Sequence, residues 1–259
     1  MTVTTGQIEV WAMAWLWPFL RISALVTAAP VFGNRQVPAR IRLGVALTLT
    51  LAIAPVLPPM PLVDPLSASA PVIAMQEVVI GTALGFALRL VYIVLEVGGQ
   101  LIAQMMGLGF ASLVDPQNGI DVPIVSQLYI MFATLLFLTL DGHLAIIEVL
   151  ADSFVTLPVA AQGLGPNRLW VLVGQAGWVF SSAVRMALPA IAALFMVNLA
   201  FGVMTRAAPQ LNVFGVGFPL TLMFGFGVIL LTLPTTLTEL GSLLDSSIAF
   251  ARSMLSGGD

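Results

Sequence analysis

Residues 77–100 read EVVIGTALGFALRLVYIVLEVGGQ and are apolar over a length that can cross a membrane. A helix needs about twenty such residues to span the hydrocarbon core of a bilayer. The interruptions are small or charged and recur mostly every four residues: Glu77, Gly81, Gly85, Arg89 and Glu96. At 3.6 residues per turn, this spacing predicts one helix face that is small and charged. A charge facing lipid costs a few kcal/mol, so we expect this face to meet protein or water.

This face has two interpretations. Gly81 and Gly85 form a small-xxx-small pair, which lets another helix approach closely and favours helix packing with one arginine–glutamate pair. The alternative is a pathway for protons or a substrate along the charged face.

The composition indicates an integral membrane protein. Hydrophobic residues make up 59% of the 259 residues and charged residues only 8%, against about 25% charged in an ordinary soluble domain. No alternating strand pattern is visible, which predicts an all-α fold. Six long apolar stretches are candidate helices: 10–32, 43–62, 72–97, 122–140, 169–204 and 211–238. Pro189 predicts a kink in the fifth stretch, and the tail from Glu239 onward is typical of an amphipathic helix.

Several classes of function are disfavoured by residue counts. The chain has no cysteine and one histidine, which argues against a thiolate or multi-histidine metal site. Its net charge of −3 argues against nucleic-acid binding. Asp141 and His143 could form a proton relay, or Asp141 could cap a helix and His143 lie at an interface, which we favour. No nucleophile elbow, phosphate loop or carboxylate pair is visible, so we expect neither an enzyme nor a cofactor.

Residues 104–123, QMMGLGFASLVDPQNGIDVP, interrupt the apolar pattern with glycines and prolines. These residues break a helix, and the backbone groups they free cannot face lipid without hydrogen bonds. The segment therefore lies outside the membrane, or it is buried in protein or lines an aqueous cavity. Its leucine, valine and phenylalanine side chains are unusual in a fully solvated loop.

Five blocks, in this order, resemble the FliR/SctT family of type III protein-export membrane proteins: PVFGNRQVPARIRLGVAL (30–47), EVVIGTALGFALRLVY (77–92), GQLIAQMMGLGFASLVDPQNG (99–119), LFLTLDGHLAIIEVLADSFVTLP (136–158) and NLAFGVMTRAAPQLNVFGVGFPLTL (198–222). The most specific piece is R-x-x-P-Q-L-N-x-F-x-x-G-F-P at 206–219. The residues of these blocks resemble the flagellar branch of the family more than the injectisome branch.

The resemblance implies a fold, partners and a location. Family members form bent helical hairpins stacked in a hetero-oligomeric export gate with several FliP-like and FliQ-like subunits, beside FlhB-like and FlhA-like export proteins. The gate passes unfolded secreted proteins across the bacterial inner membrane, within the flagellar basal body. The resemblance also divides the chain into a FliP-like part, roughly 1–180, and a FliQ-like part, roughly 181–259.

The resemblance further implies roles for individual residues. The loop after the third apolar segment plugs the closed channel, which assigns this role to Met106, Gly107, Leu108, Gly109, Phe110, Asp115, Pro116 and Gly119. The charged face and the block near residue 206 become contacts to other subunits, a role that falls on Glu77, Gly81, Gly85, Arg89, Glu96, Arg206, Pro209 and Asn212.

Three alternatives remain at this stage. The chain could belong to an injectisome gate, or it could be a scaffold that seeds assembly without contributing to the pore. It could also be a secondary transporter of a small solute, with Glu77, Arg89 and Glu96 at a site in the membrane.

Overall fold

The computed structural model describes residues 5–34, 37–61, 63, 67–109, 124–208 and 217–256, with side chains from Met13 onward. Its elements are α1 (Thr5–Ala28), α2 (Ala39–Ile53), a 3₁₀ turn (Ala54–Val56), α3 (Ser69–Met105), α4 (Ile124–Thr139), α5 (Gly142–Thr156), α6 (Pro166–Ala207) and α7 (Phe218–Leu255). These described residues contain helices and no strand, which confirms the all-α fold class.

α3 and α6 are long because they extend beyond both ends of the predicted apolar stretches. α3 has 37 residues and α6 has 42, lengths of about 55 and 63 Å at 1.5 Å per residue. In the described part of the chain, four helices are long and apolar enough to cross a membrane, or five if α4 and α5 are one broken span. Met13–Ala28 of α1 is a shorter apolar helix. Of the six predicted apolar stretches, the described residues thus give four or five helices with the length and composition of a membrane crossing.

Two boundaries predicted from the sequence are wrong. Residues 141–168, which none of the six predicted apolar stretches includes, contain the helix α5, whose buried side is mostly apolar. The sixth stretch does not end at 238, because the tail from Glu239 is helical, as predicted, and continues α7. α6 is one continuous helix through Pro189, and α7 is one through Pro234; the kink at Pro189 stays a prediction. An interior proline removes one backbone hydrogen bond, and the rest of a long helix can persist on either side of it.

The contacts divide the chain into two compact units. Unit 1 comprises residues 1–90, 140–175 and 244–259. Its core contains the nearly fully buried side chains Trp17, Ile22, Leu25, Ile80, Leu84, Leu150 and Phe154. α2 buries only Ala46, Thr50 and Ile53, the single seam that faces α1.

Unit 2 comprises residues 91–139 and 176–243. Its most deeply buried side chains include Leu95, Ile102, Met106 and Leu194. The predicted FliP-like and FliQ-like parts concern likeness to other proteins, and that division stays a prediction.

Candidate functional site

The end of α3 is where the predicted plug segment begins, and it is capped by a complete Schellman motif. Gly107 has a left-handed φ of 80°. Its N–H donates to the Gln104 carbonyl at 3.0 Å, and the Leu108 N–H donates to the Ala103 carbonyl at 3.0 Å. This pair of bonds satisfies the last carbonyls of a helix and reverses the chain, and glycine adopts the required φ without strain.

Two further contacts within unit 2 hold this helix end. Met106 is fully buried. A Cβ added at Gly225 of α7 would stand 2.6 Å from the Met106 Cε, so the thioether occupies the space that a side chain there would need. The Asn198 amide of α6 donates to the Met105 carbonyl at 3.1 Å. The first residues of the segment are thereby fixed to α6 and α7.

The remaining plug candidates divide into two groups. Leu108 and Gly109 are half-buried. Phe110, Asp115, Pro116 and Gly119 lie outside the described residues. The structure thus gives the base of the predicted plug.

Glu77, on the predicted charged face, is fully buried in a two-pronged ion pair within unit 1. The Arg21 Nε of α1 donates to Glu77 Oε2 at 2.7 Å, and Arg21 Nη2 donates to Oε1 at 2.9 Å. Both side chains are completely shielded from solvent. Parallel hydrogen bonds of this kind are the strongest geometry for a guanidinium and a carboxylate.

The other side of Arg21 closes the C-terminal end of α5. Nη1 donates to the Ser153 carbonyl at 2.7 Å and to its Oγ at 3.1 Å, while Nη2 donates to the Leu157 carbonyl at 2.9 Å. The Phe154 ring centroid lies 4.2 Å from the guanidinium carbon. A cation is favourable at this end of a helix because the free carbonyls carry partial negative charge. One side chain thereby joins α1, α3 and α5.

Gly81 and Gly85 pack against α1 of the same chain. A Cβ at Gly81 would overlap the Arg21 carbonyl oxygen, and one at Gly85 would stand 2.7 Å from the Leu25 carbonyl oxygen. The small-xxx-small pair brings two backbones together, as its spacing predicts. The partner here is intramolecular.

The predicted charged face does not continue to Arg89. Each step of four residues advances a helix by about 40° beyond a full turn, so three steps turn Arg89 about 120° away from Glu77. Arg89 is accordingly exposed, whereas Glu96 is half-buried. Beyond Arg89 along α3, the closely packed residues are ones that the sequence pattern did not identify. In unit 2, Gly99 meets the α4 backbone at Ser126, and the Ser126 hydroxyl donates to the Glu96 carbonyl at 2.8 Å.

The structure describes three of the remaining candidates, Arg206, Asp141 and His143. Arg206 is exposed near the end of α6, while Pro209 and Asn212 lie outside the described residues. Contact of these residues with another subunit stays a prediction. Asp141 precedes α5 with a left-handed φ of 54°, and its side chain makes no capping bond. The buried His143 Nδ1 has no hydrogen-bond partner, so the two do not form the relay that their sequence proximity suggested.

Sequence reasoning missed Arg21 as the partner of Glu77. The available signal was an arginine inside the apolar stretch 10–32, since a charge there requires a counter-charge. Among the residues that the structure describes, no group of three or more histidine, cysteine or acidic side chains could hold a metal.

In the part of the chain that the structure describes, the helices are long and apolar and the fully buried charges of Arg21 and Glu77 are paired, as in an integral membrane protein. The chain belongs to the family described as bacterial export proteins, family 1, whose model matches residues 12–247. This confirms the resemblance to the FliR/SctT family.

Similar proteins from several bacteria share the name flagellar biosynthetic protein FliR. The chain is 39% identical over 234 residues to the flagellar biosynthetic protein FliR of Escherichia coli (strain K12), covering 90% of this chain and 89% of the relative. It is 38% identical over 234 residues to the protein of that name from Pectobacterium carotovorum subsp. carotovorum, with the same coverage. The Bacillus subtilis (strain 168) relative is 28% identical over 245 residues, which is 93% of this chain and 94% of the relative. The chain is a membrane component of flagellar protein export.

Proposed function

We propose that the chain is a subunit of the flagellar export gate in the bacterial inner membrane, within the basal body. Together with FliP-like and FliQ-like subunits, and beside FlhB-like and FlhA-like proteins, it forms the conduit for unfolded flagellar proteins. The segment from Met106 to Gly119 closes that conduit at rest and moves aside for a polypeptide.

The observation that carries this proposal is the fixed base of the segment. A stopper must return to the same position after each substrate, so its attachment has to be rigid. The Gly107 cap, the Met106–Gly225 contact and the Asn198 bond supply such an attachment. Beyond the cap the sequence contains Gly109 and Gly119, and glycine can adopt more backbone conformations than any other residue.

The exposed apolar surface of unit 2 supports a subunit of an assembly. Several side chains on α6 and α7 are largely exposed, among them Met196 at 68%, Leu230 at 70% and Leu231 at 82%. Apolar surface on this scale needs lipid or protein to cover it. α6, about 63 Å long by its rise per residue, is about twice as long as the roughly 30 Å hydrocarbon core, so if it crosses near the bilayer normal its ends extend beyond the lipid.

A small-solute transporter is disfavoured by the state of Glu77. A binding or proton-carrying carboxylate must be reachable from water at some stage. Both oxygens of Glu77 are occupied by Arg21, and neither side chain has any exposed surface.

The test removes the tip of the segment and keeps its base. Deleting residues 110–119 leaves Met106, the Gly107 cap and the Asn198 bond intact. Cells carrying this deletion should conduct small ions through resting gates, measured as dye uptake and membrane depolarisation without export substrates. Deleting residues 64–66, in the connector between α2 and α3, is the matched control and should leave resting conductance unchanged.

Assembly has to be measured alongside conductance. If the complex of the 110–119 deletion is recovered intact and its resting conductance equals that of the unaltered gate, the segment is not the plug.

A further inference from the structure

One face of α6 in unit 2 is uncovered along its whole length. Its markers are Gly177, Ser181, Arg185, Phe195, Leu199 and Arg206, all of them exposed. At 100° per residue they fall within about 80° of one another, so they form a single stripe, here named the α6 arginine face.

This face is shaped to receive a helix. Nothing lies within 4 Å of where a Cβ would stand at Gly177 or Gly202, so both are open notches in the helix surface. Between Phe195 and Arg206 the face forms a groove of about 430 Å³, whose lining includes Gly202 and Asn198. Small residues beside large apolar ones are the pattern by which membrane helices approach closely.

The charge of this face is of one sign. α6 contains two arginines on the face, Arg185 and Arg206, and no acidic residue between Pro166 and Ala207. Neither arginine has an ion pair within the part of the chain that the structure describes. An arginine within an apolar helix is costly without a counter-charge. A second copy of the chain, docked face to face, would bring arginine against arginine, which disfavours a symmetric contact.

We infer that the α6 arginine face binds an apolar helix of a different polypeptide that carries carboxylates opposite Arg185 and Arg206. The inference rests on the proposed function, since it gives the chemistry of one neighbouring subunit in the gate. Between the two arginines α6 rises about 32 Å. A partner helix running alongside must present its two acidic side chains at about that separation.

Anionic lipid headgroups are the competing neighbours, because the same 32 Å is close to the thickness of the hydrocarbon core. The surface between the arginines favours protein. A face on lipid has no use for the open Gly202 notch, which lines the groove between Phe195 and Arg206. Ser181 and Gly177 continue the small-residue pattern beyond Arg185.

The chain has no lysine and no cysteine, which permits a direct test. Arg185→Lys and Arg206→Lys each keep the positive charge and introduce the one side-chain amine of the chain. In membranes containing the assembled complex, a hydrophobic carbodiimide activates a neighbouring carboxylate. The lysine amine then displaces the urea to form an amide. Mass spectrometry identifies the joined aspartate or glutamate.

The controls come from the same chain. Arg252→Lys should yield an internal amide to Glu148, because Arg252 Nη2 lies 2.8 Å from Glu148 Oε2, and this verifies the chemistry. Met204→Lys places the amine on the opposite side of α6, about 180° from Phe195, and should give no product with another polypeptide. The unaltered chain reports any reaction of the terminal amine.

The expected result is an amide from Lys at 185 and at 206 to acidic residues of another polypeptide. Recovery of the complex with a product at neither position, while the Arg252→Lys control reacts, overturns the inference.

A spin label on Leu199→Cys gives a second measure. The label should be less accessible to oxygen in the complex than on the chain alone in phosphatidylcholine–phosphatidylglycerol vesicles. Equal oxygen accessibility in both would assign the face to lipid. Neither result alters the conductance expected of the loop deletion, so the two proposals can fail separately.

Discussion

Arg21 joins three helices of unit 1 through five side-chain hydrogen bonds. Replacing it by methionine leaves the Glu77 carboxylate buried and unpaired, and it removes the donors to the Ser153 and Leu157 carbonyls. Breaking one partner of a buried ion pair costs about 3–5 kcal/mol. We expect Arg21→Met to lower the free energy of unfolding by that amount, measured in detergent micelles titrated with dodecyl sulfate.

The controls for Arg21→Met separate pairing from packing. Arg252→Met removes an exposed pair with Glu148, whose side chains are 49% and 62% exposed, and should cost less than about 1 kcal/mol. The double variant Arg21→Met, Glu77→Met should recover part of the loss, because no buried charge is left unmatched. A double variant as unstable as Arg21→Met alone would contradict this account.

Gly107 is required by its backbone conformation. With a φ of 80°, an alanine there is strained by about 1 kcal/mol. Gly107→Ala should therefore lower the thermal midpoint of the purified chain, and Gly107→Asn should lower it less, since asparagine tolerates the left-handed region. Gly174→Ala, in the interior of α6 with open space around it, should leave the midpoint unchanged or raise it. Equal effects at both positions would rule out the cap.

At the residue scale, the sequence revealed that charges needed partners but not which partners. Glu77 could be recognised as a buried charge from its spacing with Gly81 and Gly85. Arg21 lies 56 positions away from it, and no local pattern links the two. Arg89 follows Gly85 by the same four-residue spacing, yet it is exposed. Long-range pairing depends on how helices pack, which a single sequence does not reveal.

At the element scale, Gly85 sets how closely α1 and α3 approach. An alanine Cβ there would stand 2.7 Å from the Leu25 carbonyl oxygen and 2.8 Å from the Ala28 Cβ. Because these atoms belong to a helix backbone and its first side-chain carbon, they cannot move away singly. We expect Gly85→Ala to force the helices apart and to destabilise the chain by about 1–3 kcal/mol in the same titration. Gly227→Ala in α7, with nothing within 4 Å, should be neutral or slightly stabilising.

The helices themselves were largely predictable, because apolar stretches longer than about twenty residues leave few other structures open to them in a membrane. The errors fell where hydropathy changes gradually. α5 follows a two-residue break after α4 and shares its apolar character, so the sequence pattern merged it with a connector. The end of α7 is more polar than its beginning, so the sixth predicted stretch ended at 238 although the helix continues past Glu239.

At the scale of the whole molecule, the length of α6 is a constraint on how the chain can sit in a bilayer. A hydrocarbon core of about 30 Å accommodates about twenty helical residues, whereas α6 has 42. Exposed positions occur along its length, including Trp170, Phe180, Leu188, Met196 and Val203. Because the chain has no native cysteine, each can be replaced by the one cysteine of a variant.

We expect a membrane-impermeant maleimide to modify cysteines toward one end of this series and to spare a continuous window of about twenty residues, in vesicles containing the chain alone. The positions outside that window are apolar and lie in water only if no partner covers them. In membranes containing the assembled gate, the same cysteines should become protected, because other subunits supply the cover that lipid cannot. Protection of every position already in the isolated chain would mean that α6 lies along the membrane surface or is tilted strongly enough to stay in lipid. The requirement for partner subunits would then lose its basis in helix length.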